Sequence, residues 1–163
     1  MRDKIIREKK HRLDENVYIG ERPVSFTICI KDKKKFFTNS KIFELFNEIL
    51  ISELTDFNCS SYVYLFMPDH VHMVLTGSSS GSSIKKCLEM FKQKTGYWMR
   101  KNYSESRWQK DYYDHVLRKE DNLDIHIKYI LNNPVRAGLV EYWKQYPYKG
   151  STIYELSKWS DDW

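Results

Sequence analysis

Apolar and polar positions alternate through PVSFTICI (23–30), with Val24, Phe26 and Ile28 on one side of an extended chain and Ser25 and Thr27 on the other. This period of two predicts a first strand, closed by the lysine run KDKKK at 31–35. From residue 39 the period lengthens. Ile42, Phe43, Leu45, Phe46, Ile49 and Leu50 recur at helical spacing behind Asn39 or Ser40 as N-cap, and predict a helix over 39–54. SYVYLFM (61–67) and HVHMVLTG (70–77) are almost continuously apolar, as in central strands, and the Pro68-Asp69 turn joins them into a hairpin. The Gly/Ser stretch at 77–83 leads into a second helix over 84–101 carrying Ile84, Leu88, Phe91 and Trp98. A fourth strand is expected near 111–118, and a helix over 121–133 is stopped by Pro134, because the residue before proline disfavours helical geometry. The rest, 134–163, is a Gly- and Tyr-containing tail with one short helix.

The order β-α-β-β-α-β is that of an α+β ferredoxin-like sandwich, an open antiparallel sheet with helices on one face, here extended by a C-terminal helix. No segment repeats another. The 163 residues fit one domain, with a core over about 23–140 and a tail over 141–163. Apolar residues make up 41% of the chain but form no run long enough to span a bilayer, so no membrane partner is expected. The charged first 23 residues lack the apolar region of a secretion signal, which predicts a cytoplasmic protein. Cys29, Cys59 and Cys87 are odd in number and far from any paired zinc spacing, so they read as reduced packing residues. A net charge of +5 and a pI near 9.0 suit a polyanionic partner without requiring one. REKKHR (7–12) and KDKKK (31–35) concentrate that excess near the N-terminus.

Two constellations interrupt this structural reading. On a strand, His70 and His72 share the face opposite Val71, Met73 and Leu75. On a wheel of the 121–133 helix, Leu123, Ile127, Ile130 and Leu131 form an apolar sector, while Asn122, His126, Tyr129 and Asn133 share another. Taken singly, the first is as readily packing and the second as readily a solvated face. Taken together, two neutral imidazoles and an amide oxygen can bind a divalent cation and leave positions open for phosphate oxygens. A tyrosine hydroxyl can then attack phosphorus, provided its ordinary pKa of about 10 and the developing phosphoryl charge are offset. A hydrolase using a water nucleophile would need a carboxylate base and leave Tyr129 idle. A non-catalytic or regulatory single-stranded nucleic-acid binder is the other alternative.

MPDHVHMVLTG (67–77) followed by YILNNPVRAGLV (129–140) resembles the single-domain HUH tyrosine transposases, above all the REP-associated branch. RWQKDYYDHVLR (107–118) is similar to a third block of that branch, and the resemblance runs from Pro23 to Tyr154. It implies a single-strand endonuclease and strand transferase in which His70 and His72 bind Mg²⁺ or Mn²⁺. Tyr129 would form a 5′-phosphotyrosine link to DNA and release a 3′ hydroxyl, with no need for ATP. Asn133 would be the third metal ligand, where insertion-sequence relatives carry glutamine.

Three residues stand under paired readings. His126 either orients Tyr129 or contacts phosphate, or else is a solvated helix histidine; Asp114, beside His115, supports the metal or is an ordinary strand-end residue. Arg136 contacts DNA phosphate or caps the helix. The implied partner is single-stranded or hairpin DNA, handled by a monomer or by a homodimer that exchanges catalytic helices, in the nucleoid region of the cytoplasm. Aromatic and basic residues at 97–103 and 143–154 either stack bases or fill the core, and the tail would cover the site.

Overall fold

The computed structural model describes residues 13–161, so the basic run at 7–12 lies outside the described residues. Strands β1 (Val24–Cys29), β2 (Cys59–Met67), β3 (His70–Gly77), β4 (Tyr113–Val116) and β5 (Lys149–Gly150) form one antiparallel sheet in the order β4-β1-β3-β2-β5. Pro68 and Asp69 make the tight link between β2 and β3, as expected.

Helices α1 (Ser40–Asp56) and α2 (Ile84–Asn102) cover one face. Asn39 caps α1 by accepting the Ile42 N–H at 3.1 Å, and Ser83 caps α2 by accepting that of Lys86 at 3.3 Å. Each cap satisfies an amide that the first turn leaves without a partner. Ile42, Phe46, Leu50 and Leu54 of α1 are buried, and their four-residue spacing forms a single stripe. They meet Val24, Phe26 and Ile28 of β1 and Val71, Met73 and Leu75 of β3 in the larger core. A 3₁₀ turn, Glu15–Tyr18, closes this side, with the Tyr18 hydroxyl donating to the Asp114 carboxylate.

The opposite face carries a smaller core. Val63, Leu65, Met67 and Val74 pack against Ile127, Ile130 and Leu131 of α3 (Leu123–Leu131), together with Trp143 and Tyr146 from the tail. Tyr146 is held there by its hydroxyl, which donates to the Phe66 carbonyl at 2.6 Å. Helices therefore lie on both faces, not on one as the element order alone predicts.

The helix expected over 121–133 is shorter and divided. Asn122 is its cap, accepting the Ile125 N–H at 3.1 Å, and α3 ends at Leu131. A separate turn, α4 (Asn133–Arg136), begins there with Pro134 in its first turn, where a missing N–H costs nothing. The tail supplies β5 and the 3₁₀ turns Trp143–Gln145 and Leu156–Lys158, where one short helix is expected from sequence. Cys29, Cys59 and Cys87 are buried and unpaired by disulfides. Among the described residues no helix is long and apolar enough to cross a membrane.

Candidate active site

The pleat of β3 sends Val71 and Met73 into the larger core and turns His70 and His72 toward the α3 side. Thr27 is the register partner of His72 on β1, and its hydroxyl lies 2.9 Å from His72 Nδ1. In the hairpin turn, Asp69 Oδ1 lies 2.6 Å from His70 Nδ1. An ionised carboxylate only accepts, so His70 donates from Nδ1, which in the neutral ring leaves a lone pair at Nε2. His72 does the same when Thr27 accepts from its Nδ1–H. The two Nε2 atoms face each other at 3.0 Å, with the rings nearly perpendicular at 88°. Facing lone pairs repel unless a cation or proton lies between them. Neighbouring ligands on one octahedral ion, at bonds of about 2.1 Å, stand about 3.0 Å apart, so this pair fits two positions on an octahedral divalent cation.

The electrostatics agree with that fit. Burial, followed by the charges of His70, Arg136 and His126, holds the His72 imidazole well below its ordinary pKa, in the neutral form that ligates metal. Asp69 is held below the usual carboxylate range, chiefly by the hydrogen bond from His70. Among the described residues no group of three or more His, Cys, Asp or Glu side chains could hold a metal ion.

Above this face, α3 buries Ile127, Ile130 and Leu131, while Tyr129 stays 61% exposed. His126, one turn earlier, lies with Nε2 2.9 Å from Ser25 Oγ. Ser25 and Thr27 are neighbours on one face of β1, so a single strand pins both the helix and His72. Arg136 donates from Nη1 to the Tyr129 carbonyl and from Nη2 to Asn133 Oδ1, both at 2.9 Å. Its guanidinium also lies 3.8 Å from the centroid of the Tyr129 ring. The same cation is near enough to His72 to disfavour protonation there.

A family model, Transposase IS200 like, matches residues 23–133, most of the chain and all of β1 to α3. The chain belongs to the IS200-like transposase family. As an IS200-like transposase it is a DNA-processing enzyme. A Haemophilus influenzae protein (strain ATCC 51907 / DSM 11121 / KW20 / Rd), named for the REP-associated tyrosine transposases, is 26% identical over 140 residues and covers 76% of each chain. Among solved structures, a REP-associated tyrosine transposase bound to a REP hairpin superposes with a TM-score of 0.76 at 19% identity, covering 95% of this chain and 90% of that one. A Deinococcus radiodurans R1 protein described as a transposase superposes with a TM-score of 0.51 at 17% identity, covering 76% of this chain and 96% of that one. Both share the fold.

In this transposase the structure gathers His70, His72, His126, Tyr129, Asn133 and Arg136 around one face of the sheet. Asp114 is not among them. It pairs in register with Phe26, is buried, and points through the other face toward Tyr18. His115 is on the α3 side but lies 3.7 Å from the Asp121 carboxylate. Asn122 serves as the helix cap. Of the aromatic runs, Trp98, Tyr103, Trp143 and Tyr146 pack against or within the two cores, while Tyr97 stays exposed with the Lys101 ammonium 5.2 Å from its ring centroid. Sequence reasoning missed Asp69, Thr27 and Ser25. Asp69 directly precedes the histidine pair, and the other two are the polar positions of an alternating strand, so the signal was present without the pairing that gives it meaning.

Proposed function

We propose that this IS200-like transposase cleaves and rejoins single-stranded DNA at hairpin elements through a covalent link to Tyr129. The observation that carries this reading is the pair of imidazole Nε2 atoms converging at 3.0 Å beneath a helix that leaves a tyrosine exposed. His70 and His72 would hold Mg²⁺ or Mn²⁺. Asn133 is the third candidate ligand, because a carbonyl oxygen keeps a second lone pair after accepting from Arg136. A divalent cation bound there supplies polarisation of the scissile phosphate and charge stabilisation for its leaving oxygen.

The chain's own groups do the rest. Asp69 and Thr27 fix the tautomer and ring planes of the histidines, and His126 ties α3 to β1 through Ser25. Tyr129 Oη attacks phosphorus and gives its proton to solvent. The bond from phosphorus to O3′ breaks, the upstream strand leaves with a protonated 3′ hydroxyl, and the downstream strand remains on the enzyme through its 5′ phosphate as a phosphotyrosine. A second 3′ hydroxyl attacking that phosphotyrosine restores the phenol and joins the strands. No nucleotide hydrolysis is required.

Likeness to the structure bound to a REP hairpin supports hairpin DNA as the substrate class. The test is incubation of the purified protein, with Mn²⁺ or Mg²⁺, and 3′-end-labelled single strands carrying hairpins from its own genomic flanks, followed by a denaturing protein gel. A labelled band at protein mass, absent in His70→Ala, is the expected result. Binding without any band across these hairpins and both metals would leave a non-catalytic binder instead.

A further inference from the structure

Tyr129 and Asn133 belong to different helical elements, because α3 ends at Leu131 and α4 starts at Asn133. A continuous helix would fix their relation through its hydrogen-bond ladder. Here the ladder is broken by Pro134, which has no N–H to give. The Tyr129 carbonyl also falls in the last turn of α3, where carbonyls lack regular intrahelical partners. One side chain spans the break. Arg136 donates to that carbonyl and to Asn133 Oδ1 at 2.9 Å each, and lies over the Tyr129 ring at 3.8 Å.

We propose that Arg136 is the positioning residue of the site: it staples the nucleophile to Asn133 across the helix break and sets the plane of the Tyr129 ring. The inference rests on the assignment of Tyr129 as nucleophile made above. Three features of the geometry support it. Tyr129 is 61% exposed, so little packing would otherwise hold its ring. A planar guanidinium can stack on a ring and donate through two nitrogens at once, which a lysine ammonium cannot. Arginine offers donors only, so the Asn133 amide must turn its oxygen toward Arg136, which fixes the plane of that amide as well. The side chain also satisfies a helix-end carbonyl, and it does so while touching the nucleophile.

Arg136→Lys separates positioning from simple attraction of DNA, because the charge is kept and the fork and stack are lost. Single-turnover cleavage at saturating hairpin DNA is expected to slow by about 10- to 100-fold in Arg136→Lys, with the DNA Kd unchanged. Thermal melting should stay at the wild-type value, since the residue is exposed. A second readout needs no activity: ¹⁹F NMR of 3-fluorotyrosine placed at 129 should move toward the free-tyrosine shift in Arg136→Lys and Arg136→Gln. Normal cleavage at saturation in Arg136→Lys, with Kd weakened only in Arg136→Gln, would make Arg136 a phosphate contact and overturn the proposal. An unmoved ¹⁹F resonance would overturn it too. Should the wild-type protein form no adduct at all, the functional reading fails, and the ¹⁹F comparison still decides whether Arg136 holds the ring.

Discussion

The two faces of the sheet are built by different means. One is covered by α1 and α2, of 17 and 19 residues, over a core that includes Phe26, Phe37, Phe46, Phe66 and Phe91. The other has the 9-residue α3, the turn α4 and an irregular tail around a smaller core. The same strands serve both. On β1, Phe26 faces the large core while Ser25 and Thr27 hold His126 and His72; on β3, Met73 goes one way and His72 the other. Apolar burial is thus concentrated on one side, which leaves the other free to carry polar side chains paired by hydrogen bonds. A one-residue slip of β3 would exchange the two roles, so the large core also fixes the register of the histidines.

Substitutions can break this division or sharpen it. Tyr129→Phe should have the largest effect and the narrowest. Adduct formation falls by about a thousandfold or more, equivalent to about 4 kcal/mol of barrier, while thermal melting is unmoved because the side chain is exposed. Phe46→Ala attacks the other face. It should cost about 3–5 kcal/mol in urea unfolding, since the ring is fully buried among Phe36, Phe37 and Phe91. If it weakened Mn²⁺ binding at a temperature where the protein stays folded, the faces would not be independent. Asp69→Ala, which removes the acceptor fixing His70, should lower Mn²⁺ affinity by about 10- to 100-fold in a calorimetric titration and leave the melting midpoint nearly unchanged. Ser25→Ala should have the smallest effect, about 1 kcal/mol of stability for the lost His126 bond, and should slow cleavage more than it weakens DNA binding.

The same division explains what could be read in advance. Regular periods mark β1, the β2–β3 hairpin, α1 and α2, and these build the large core. The smaller core depends on Trp143 and Tyr146, which follow no period, and on β5, whose two residues are too few to show one. Pro134 is visible as a stop, but its second role, opening α4, depends on local geometry that the apolar pattern does not encode. At the site, His70, His72, His126, Tyr129, Asn133 and Arg136 could be proposed from spacing and from resemblance to the tyrosine transposases. Their partners could not, because Thr27 meets His72 only through strand pairing and Ser25 meets His126 across 101 residues of chain. Asp114 fails for the same reason. Its neighbour His115 is on the α3 side, but the pleat sends Asp114 through to Tyr18.

The most direct test of the account is mass-spectrometric mapping of the covalent species formed with a cleavable hairpin strand. After nuclease and protease digestion, the account predicts a nucleotide phosphate attached to the peptide containing Tyr129, with no other tyrosine modified. Attachment to another exposed tyrosine such as Tyr113 or Tyr97, or cleavage that leaves a free 5′ phosphate and unmodified protein, would contradict it.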